Sequence, residues 1–488
     1  MLFNSYIFIF LFLPLALLLW HGANHFGKYK LAQVFLIGMS LWFYGYFHPA
    51  YLLIILASVF GNYLISALME RFSAHKILGI CGIVFNLGLL FYFKYYDFFV
   101  ENVNQAFHLN WAVKNIALPL GISFFTFQQI AFLADRMQGK AEHYELADYM
   151  LFVTYFPQLV AGPIVSHRDL IPQFHEKERR HFDYGNTLMG IRLFVMGLAK
   201  KLLVADELGK VADLGFGAID SLDSISAFLT MLAYTLQIFF DFSGYSDMAL
   251  GLGYLMNLEL PQNFRSPYKS HSVKEFWRRW HMTLNAFFTQ YVYIPLGGGR
   301  AGKVKKIRNT MIVFLLSGIW HGANWTFVLW GVVHGIAVSL ENLTFFEKLH
   351  AKMGRKLEWL FTFLFLNLAW VLFRSDSIAQ AGQFYQRLFS FTNTGHIWML
   401  PYSMDSFKNY PLYLVANHFG GYEAARVLYL VWMLFTFALA VFLCTGKCSY
   451  DRVKEKKATA LEMWGLALLL SLCVISFSGM STFLYFNF

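Results

Sequence analysis

Leu315-Leu316-Ser317-Gly318-Ile319-Trp320-His321-Gly322-Ala323-Asn324-Trp325 is an apolar run broken at its centre by a histidine set between two tryptophans. The residues that follow, Thr326 to Leu340, stay apolar for a helix length and carry a second histidine, His334. In a membrane segment an ionisable imidazole is costly and marks a functional position. Its ordinary pKa of about 6.5 leaves the ring mostly neutral at pH 7, able to accept a proton from an alcohol. A helix-end histidine satisfied by a neighbouring carbonyl is the plain alternative, and spacing alone leaves both open.

Composition settles the setting of that run. Of 488 residues, 57% are hydrophobic and 19% aromatic, and only 14% are charged. The mean hydropathy is +0.47. These values predict an all-α polytopic membrane protein. The net charge of +10 suits basic loops held on the cytoplasmic side. Nucleic-acid binding would need a polar domain with a basic face, which the sequence lacks. Cys81, Cys444, Cys448 and Cys473 lie in or beside apolar segments without metal-ligand spacing, so neither a disulfide framework, a zinc site nor any other metal is expected.

The first apolar run, Ile7–Trp20, has no basic residues before it and no small-residue cleavage site after it, and reads as a retained span. Further spans are expected near 31–47, 50–69 and 77–96. The breaks at 25–30 and 70–76 are basic, which puts the start of the chain outside. Trp20-His21-Gly22-Ala23-Asn24 repeats the five letters of Trp320–Asn324. At the end of a short span, however, Trp and His are ordinary interfacial anchors, and no chemistry is assigned there.

From 117 to 164 the apolar pattern is studded with breakers, in Leu118-Pro119-Leu120-Gly121-Ile122-Ser123 and again in Phe156-Pro157-Gln158-Leu159-Val160-Ala161-Gly162-Pro163. Such backbone is tolerated at membrane depth only against protein or a water-filled cavity. Re-entrant pieces lining a cavity and two proline-kinked spans are both open. Spans follow near 186–205 and 226–258. The second holds Asp241 and Asp247, six residues apart and so on different helix faces. Each carboxylate is expected to orient a basic partner or to line the cavity. Pro261-Gln262-Asn263-Phe264-Arg265-Ser266-Pro267 then leads to Phe276-Trp277-Arg278-Arg279-Trp280-His281. Mixed Trp and Arg suit an interfacial helix, or stacking and ion pairing with a phosphate-bearing nucleotide.

Taken in order, Phe156–Pro163, Phe240–Met248, Pro261–Pro267, Phe276–His281, Ser317–Trp325 and the Phe-rich terminus Phe483–Phe488 resemble the membrane-bound O-acyltransferases, within them the bacterial alginate O-acetyltransferase type. The resemblance covers essentially the whole chain. It implies a single domain, 1–488, of about ten to twelve transmembrane and re-entrant helices around a central tunnel. N-terminal spans would occupy 1–115, the catalytic core 116–345 and C-terminal spans 346–488. It also implies a multi-pass protein of the bacterial inner membrane, in which donor and acceptor meet from opposite faces.

By that resemblance His321 matches the family's near-invariant histidine and His281 its second active-site position. His321 would be general base on the incoming hydroxyl, or an acetyl relay. His281 would orient it or protonate the leaving thiolate. Asn263, Arg265, Trp277, Arg278, Arg279, Asp241, Asp247, Trp320 and Asn324 are the candidates for binding the donor or lining the tunnel. No resident cofactor is expected. Acetyl-CoA is the expected donor, met by Arg278, Arg279 and Lys303–Arg308. The expected partners are membrane lipid, a polysaccharide acceptor (exopolysaccharide or peptidoglycan) and a separate periplasmic acetyltransferase. D-Alanyl transfer to teichoic acid is the nearest alternative; a transporter using its intramembrane His and Asp residues is the alternative from another class. His21→Ala is expected to keep near-normal acyl transfer in isolated membranes while His321→Ala loses it. A dead His21→Ala enzyme would restore the first Trp-His-Gly-Ala-Asn to the chemistry.

Overall fold

Hydrocarbon offers no water to backbone N–H and C=O groups, so a chain this apolar folds into segments that bond to themselves. The computed structural model describes all residues except 73–74, 301, 344, 347–351, 394–398, 405–409, 479–482 and 485–488, and among the described residues every regular element is helical. Most of the Phe-rich terminus thus lies outside the described residues; Phe483 and Leu484 lie within them. Among the described residues six helices are long and apolar enough to cross a membrane.

The N-terminal group comprises α1 (Phe8–His25), α2 (Tyr29–Gly45), α3 (Ala50–Arg71) and α4 (His75–Phe107). Two shorter helices, α5 (Ile122–Met137) and α6 (Leu146–Thr154), then turn inward. The centre is built by α7 (Tyr184–Ala199), which continues through a π-helical turn at Lys200–Ala205 into α8 (Asp206–Gly217), and by α9 (Ser224–Leu255). The short helices α10 (Val273–Arg279) and α11 (Met282–Phe288) precede the pair α12 (Lys303–His321) and α13 (Trp325–Leu340). The remainder is α14 (Arg355–Arg374), α15 (Ile378–Leu388), α16 (Tyr410–Thr445, kinked at Gly421), α17 (Ser449–Glu455) and α18 (Ala460–Ile475).

Without a hydrophobic drive between helices in lipid, close association relies on small residues. α7 and α9 pair antiparallel through two glycine contacts. A Cβ at Gly190 would sit 2.7 Å from the Gly251 oxygen, and one at Gly197 2.5 Å from the Gly244 oxygen. The two glycines on each helix are seven residues apart, two turns of helix, so both fall on one face. Side chains add ion pairs to this seam. Lys200 Nζ lies 2.6 Å from Asp247 Oδ2, and Lys201 Nζ lies 2.5 Å from Asp241 Oδ1 and 2.9 Å from Asp206 Oδ1. The π-helical turn, wider than an α-turn, lets consecutive lysines both face α9. It also carries the helix past 205, where the expected span ended. Asp206 and Glu207 do not stop it because Lys201 and Lys210 neutralise them inside.

Ion pairs among helix ends and loops define one end of the bundle. Lys30 meets Glu145 at 3.5 Å, Arg136 meets Glu70 at 3.9 Å, Arg179 meets Glu259 at 3.3 Å and Arg265 meets Asp451 at 3.3 Å. Exposed pairs of this kind contribute little stability each, but they gather the basic loops on a common face. The opposite end is tied by Trp325 to Asn102 at 2.8 Å and by Arg374 to Asp213 at 2.8 Å. α12 starts in the basic loop, and its 19 residues carry the chain roughly 27 Å toward that opposite end.

The added Cβ at Gly197 has backbone as its neighbour, which cannot rotate away. Gly197→Val is therefore expected to collapse the yield and melting temperature of the detergent-solubilised protein. Gly217→Ala, whose new carbon meets nothing within 4 Å, should stay within about 0.5 kcal/mol of the parent.

Candidate active site

His321 is the last residue of α12, and the chain leaves it through an extended Gly322. α12 and α13 meet backbone to backbone just before it. A Cβ at Gly318 would lie 2.4 Å from the Phe327 oxygen, and one at Gly331 2.4 Å from the Phe314 oxygen. That approach brings an aromatic cage around the imidazole, with ring centroids of Trp320, Trp330 and Phe373 at 5.0, 5.2 and 5.1 Å. The residue keeps 4% exposure. A cavity of about 30 Å³ opens beside it, walled by Lys94, Gly121, Ser123, Val160, Trp320 and His321. Gly121 is required there. Its φ is +70°, and a Cβ would stand 2.4 Å from the Leu159 oxygen. The breaker-rich stretches thus supply walls of this cavity.

His281 forms the corner between α10 and α11, with φ 46° and ψ 52°. A non-glycine residue pays about 1–2 kcal/mol in this left-handed region, and such strain clusters at functional positions. Backbone bonds on either side hold the corner: Arg265 N–H donates to the Arg279 oxygen at 2.9 Å, and Met282 N–H to the Asn263 oxygen at 3.0 Å. The Asn263 side chain does the rest. Its Oδ1 accepts the Thr283 N–H at 3.3 Å and hydroxyl at 3.0 Å, and meets His281 Nδ1 at 3.2 Å. An oxygen there requires that Nδ1 carry the hydrogen, so Nε2 holds the lone pair of the neutral ring. Both imidazoles pack on one indole: the Trp320 centroid is 6.1 Å from His281 and 5.0 Å from His321. Residues 40 apart in sequence have been brought to a single buried site.

Comparison with known proteins places the chain in a family. Residues 41–378 match the profile of MBOAT, the membrane-bound O-acyltransferase family. The chain belongs to that family. A peptidoglycan O-acetyltransferase of Helicobacter pylori is 42% identical over 412 residues, covering 78% of each chain. A probable alginate O-acetylase of Azotobacter vinelandii is 38% identical over 401 residues, 80% of this chain and 78% of its own. A teichoic acid D-alanyltransferase of Bacillus subtilis is 30% identical over 256 residues, 50% of this chain and 63% of its own. The protein is a multi-pass membrane O-acyltransferase.

Within this O-acyltransferase the candidate residues separate by position. Asn263 and Trp320 contact the histidines directly. Trp277 is one step removed: its Nε1–H donates to His334 Nδ1 at 3.2 Å, and His334 stacks edge-on to Trp330 at 4.7 Å. Asp241 and Asp247 are held in the ion pairs with Lys201 and Lys200, and Asp241 Oδ2 also accepts the Leu484 N–H at 2.9 Å. Phe242, beside Asp241, lies 4.8 Å from the His281 ring. Arg265 and Arg279 belong to the basic end, paired with Asp451 and Glu275. Arg278 lines a separate surface depression with Asn285 and Gln290. Asn324 caps α13, its Oδ1 accepting the Thr326 N–H at 3.0 Å.

Two expectations change. The Phe276–His281 segment packs inward, with Phe276 and Trp277 buried among aromatic side chains. The first Trp-His-Gly-Ala-Asn is an internal fastening and not a water-facing anchor. Trp20 donates to the Met256 oxygen at 2.9 Å, and the His21 ring meets the Leu255 oxygen at 2.8 Å, closing the end of α9.

Asn263→Ala is expected to leave the protein folded while cutting acyl transfer, because His281 loses the partner that selects its tautomer. His281→Ala removes the imidazole itself and should cost about 10²- to 10⁴-fold. Initial rates of the two variants in membranes, at equal protein, test the order; an unaffected Asn263→Ala enzyme would refute the orienting role.

Proposed function

We propose that the protein is an acetyltransferase of the bacterial inner membrane. It would draw the acetyl group from acetyl-CoA on the cytoplasmic side and pass it across for O-acetylation of an extracytoplasmic polysaccharide, through a separate periplasmic acetyltransferase. The observation that carries this reading is the pair of buried imidazoles on Trp320, at the far end of a helix rooted in the basic loops. Positive-inside bias supports assigning the basic face to the cytoplasm. The phosphates of the donor suit that face.

In the reaction, the hydroxyl proton goes to the lone pair of a neutral imidazole as the oxygen attacks the thioester carbonyl. The C–O bond forms, the C–S bond breaks, and the imidazolium passes that same proton to the thiolate, which leaves as the free thiol while the ring returns to neutral. We assign His321 to the hydroxyl because the small cavity opens beside it. His281, its ring oriented by Asn263, orients the reacting groups from the other side of the shared indole. The water-excluding aromatic cage strengthens the electrostatic interactions of the transition state.

The relatives named for peptidoglycan and for alginate support an extracytoplasmic polysaccharide as acceptor and favour acetyl over D-alanyl transfer, since the D-alanyltransferase matches a smaller share of the chain. The test is purified protein in nanodiscs with radiolabelled acetyl-CoA, comparing the parent with His321→Ala. Label is expected to leave acetyl-CoA only with the parent, while both proteins remain monodisperse and bind donor. Undiminished turnover by His321→Ala would overturn the assignment of the base. Turnover of labelled D-alanyl carrier protein and not of acetyl-CoA would overturn the donor.

A further inference from the structure

We infer that Lys94 is a positioning residue for the transfer reaction, holding the end of α12, and with it His321, from a helix that carries none of the family motifs. The inference rests on the assignment of His321 above. Lys94 sits in Phe91-Tyr92-Phe93-Lys94-Tyr95, a π-helical turn within α4, a span only 22% buried by the rest of the protein. A cation in such a place needs compensation. It finds it in three acceptors: the Trp320 oxygen at 2.6 Å, the His321 oxygen at 3.1 Å and the Ser123 hydroxyl at 3.4 Å. The neighbouring Tyr95 hydroxyl donates to the Ile319 oxygen at 2.8 Å.

These carbonyls belong to the last turn of α12, whose oxygens have no partner within the helix and carry the negative end of its dipole. Lys94 and Tyr95 therefore complete three successive carbonyls at the point where the catalytic histidine leaves the helix. On a regular helix consecutive residues point about 100° apart; the wider π-turn allows both side chains to reach α12. The ammonium also lies 5.8 Å from the centroid of the Trp320 ring, the indole that both imidazoles pack against. An ammonium has three N–H groups, and the three acceptors use them all. Lys94 also walls the cavity beside His321, but with its N–H groups directed to these acceptors it acts through the helix end.

The experiment compares Lys94→Met, Lys94→Arg and His321→Ala with the parent in cells, as alkali-labile acetate incorporated into envelope polysaccharide per unit of membrane-inserted protein. Melting temperatures are measured on the purified proteins. Methionine keeps the length of the side chain and removes the charge, so protein level and melting temperature should hold. Incorporation is expected to fall about tenfold or more, as displacement of a catalytic group does. Lys94→Arg should recover most of it, because it restores donors to the carbonyls. With acetyl-CoA in nanodiscs, the loss should fall on kcat with KM within about twofold, since the donor site is untouched.

Parent-like incorporation by Lys94→Met, with His321→Ala inactive, would overturn the inference and leave the site assignment standing. A loss that merely tracks folded protein, or a rise in KM alone, would also overturn it. An active His321→Ala would overturn the site assignment, and the inference with it.

Discussion

A helix that stops inside a water-excluding interior leaves its last carbonyls without partners, and α12 stops at the buried His321. The local architecture answers that problem. Lys94 and Tyr95 reach across from α4 to take the oxygens of residues 319 to 321, and the extended Gly322 lets the chain turn immediately into α13. The same arrangement fixes the imidazole, because the carbonyls being satisfied belong to the histidine and its two predecessors. Satisfying the backbone and placing the imidazole are one act of folding here.

The close contacts of glycine work at the next level. Gly318 against Gly331, and Gly190 and Gly197 against Gly251 and Gly244, let backbones touch where lipid gives no reason for side chains to cluster. The first pair sets Trp330 beside His321. The second brings α7 to α9, aligning Lys200 and Lys201 with Asp247 and Asp241. Buried ion pairs are weak evidence for stability; what these do is fix the register of α9, whose Phe242 packs against His281.

Much was legible in the sequence. The membrane class followed from composition, most spans from hydropathy, and the candidacy of His321 from the cost of an imidazole in an apolar run. Asn263 and Trp320 belonged to recognisable motifs and stand where motif residues would be useful. Three things were not legible. Asp206 and Glu207 read as the end of a span because their partners, Lys201 and Lys210, cannot be assigned from a linear chain. The repeated Trp-His-Gly-Ala-Asn could be dismissed from chemistry by its place in the chain, but its fastening to the end of α9 required that helix to be beside it. Lys94 drew no reading within the span expected near 77–96, since the carbonyls it serves lie 226 and 227 residues away.

The sequence by itself determined that this chain lives in a membrane, that its backbone is helical there, and where imidazoles interrupt its apolar runs. These follow from transfer free energies and local spacing, properties of residues and their near neighbours. Only the tertiary structure decided that His281 and His321 share one indole, that Nε2 of His281 is the basic nitrogen, and that Lys94 closes the helix below His321. Each depends on groups distant along the chain meeting within hydrogen-bonding or ring-contact distance, and the order of residues along the chain does not specify such a meeting.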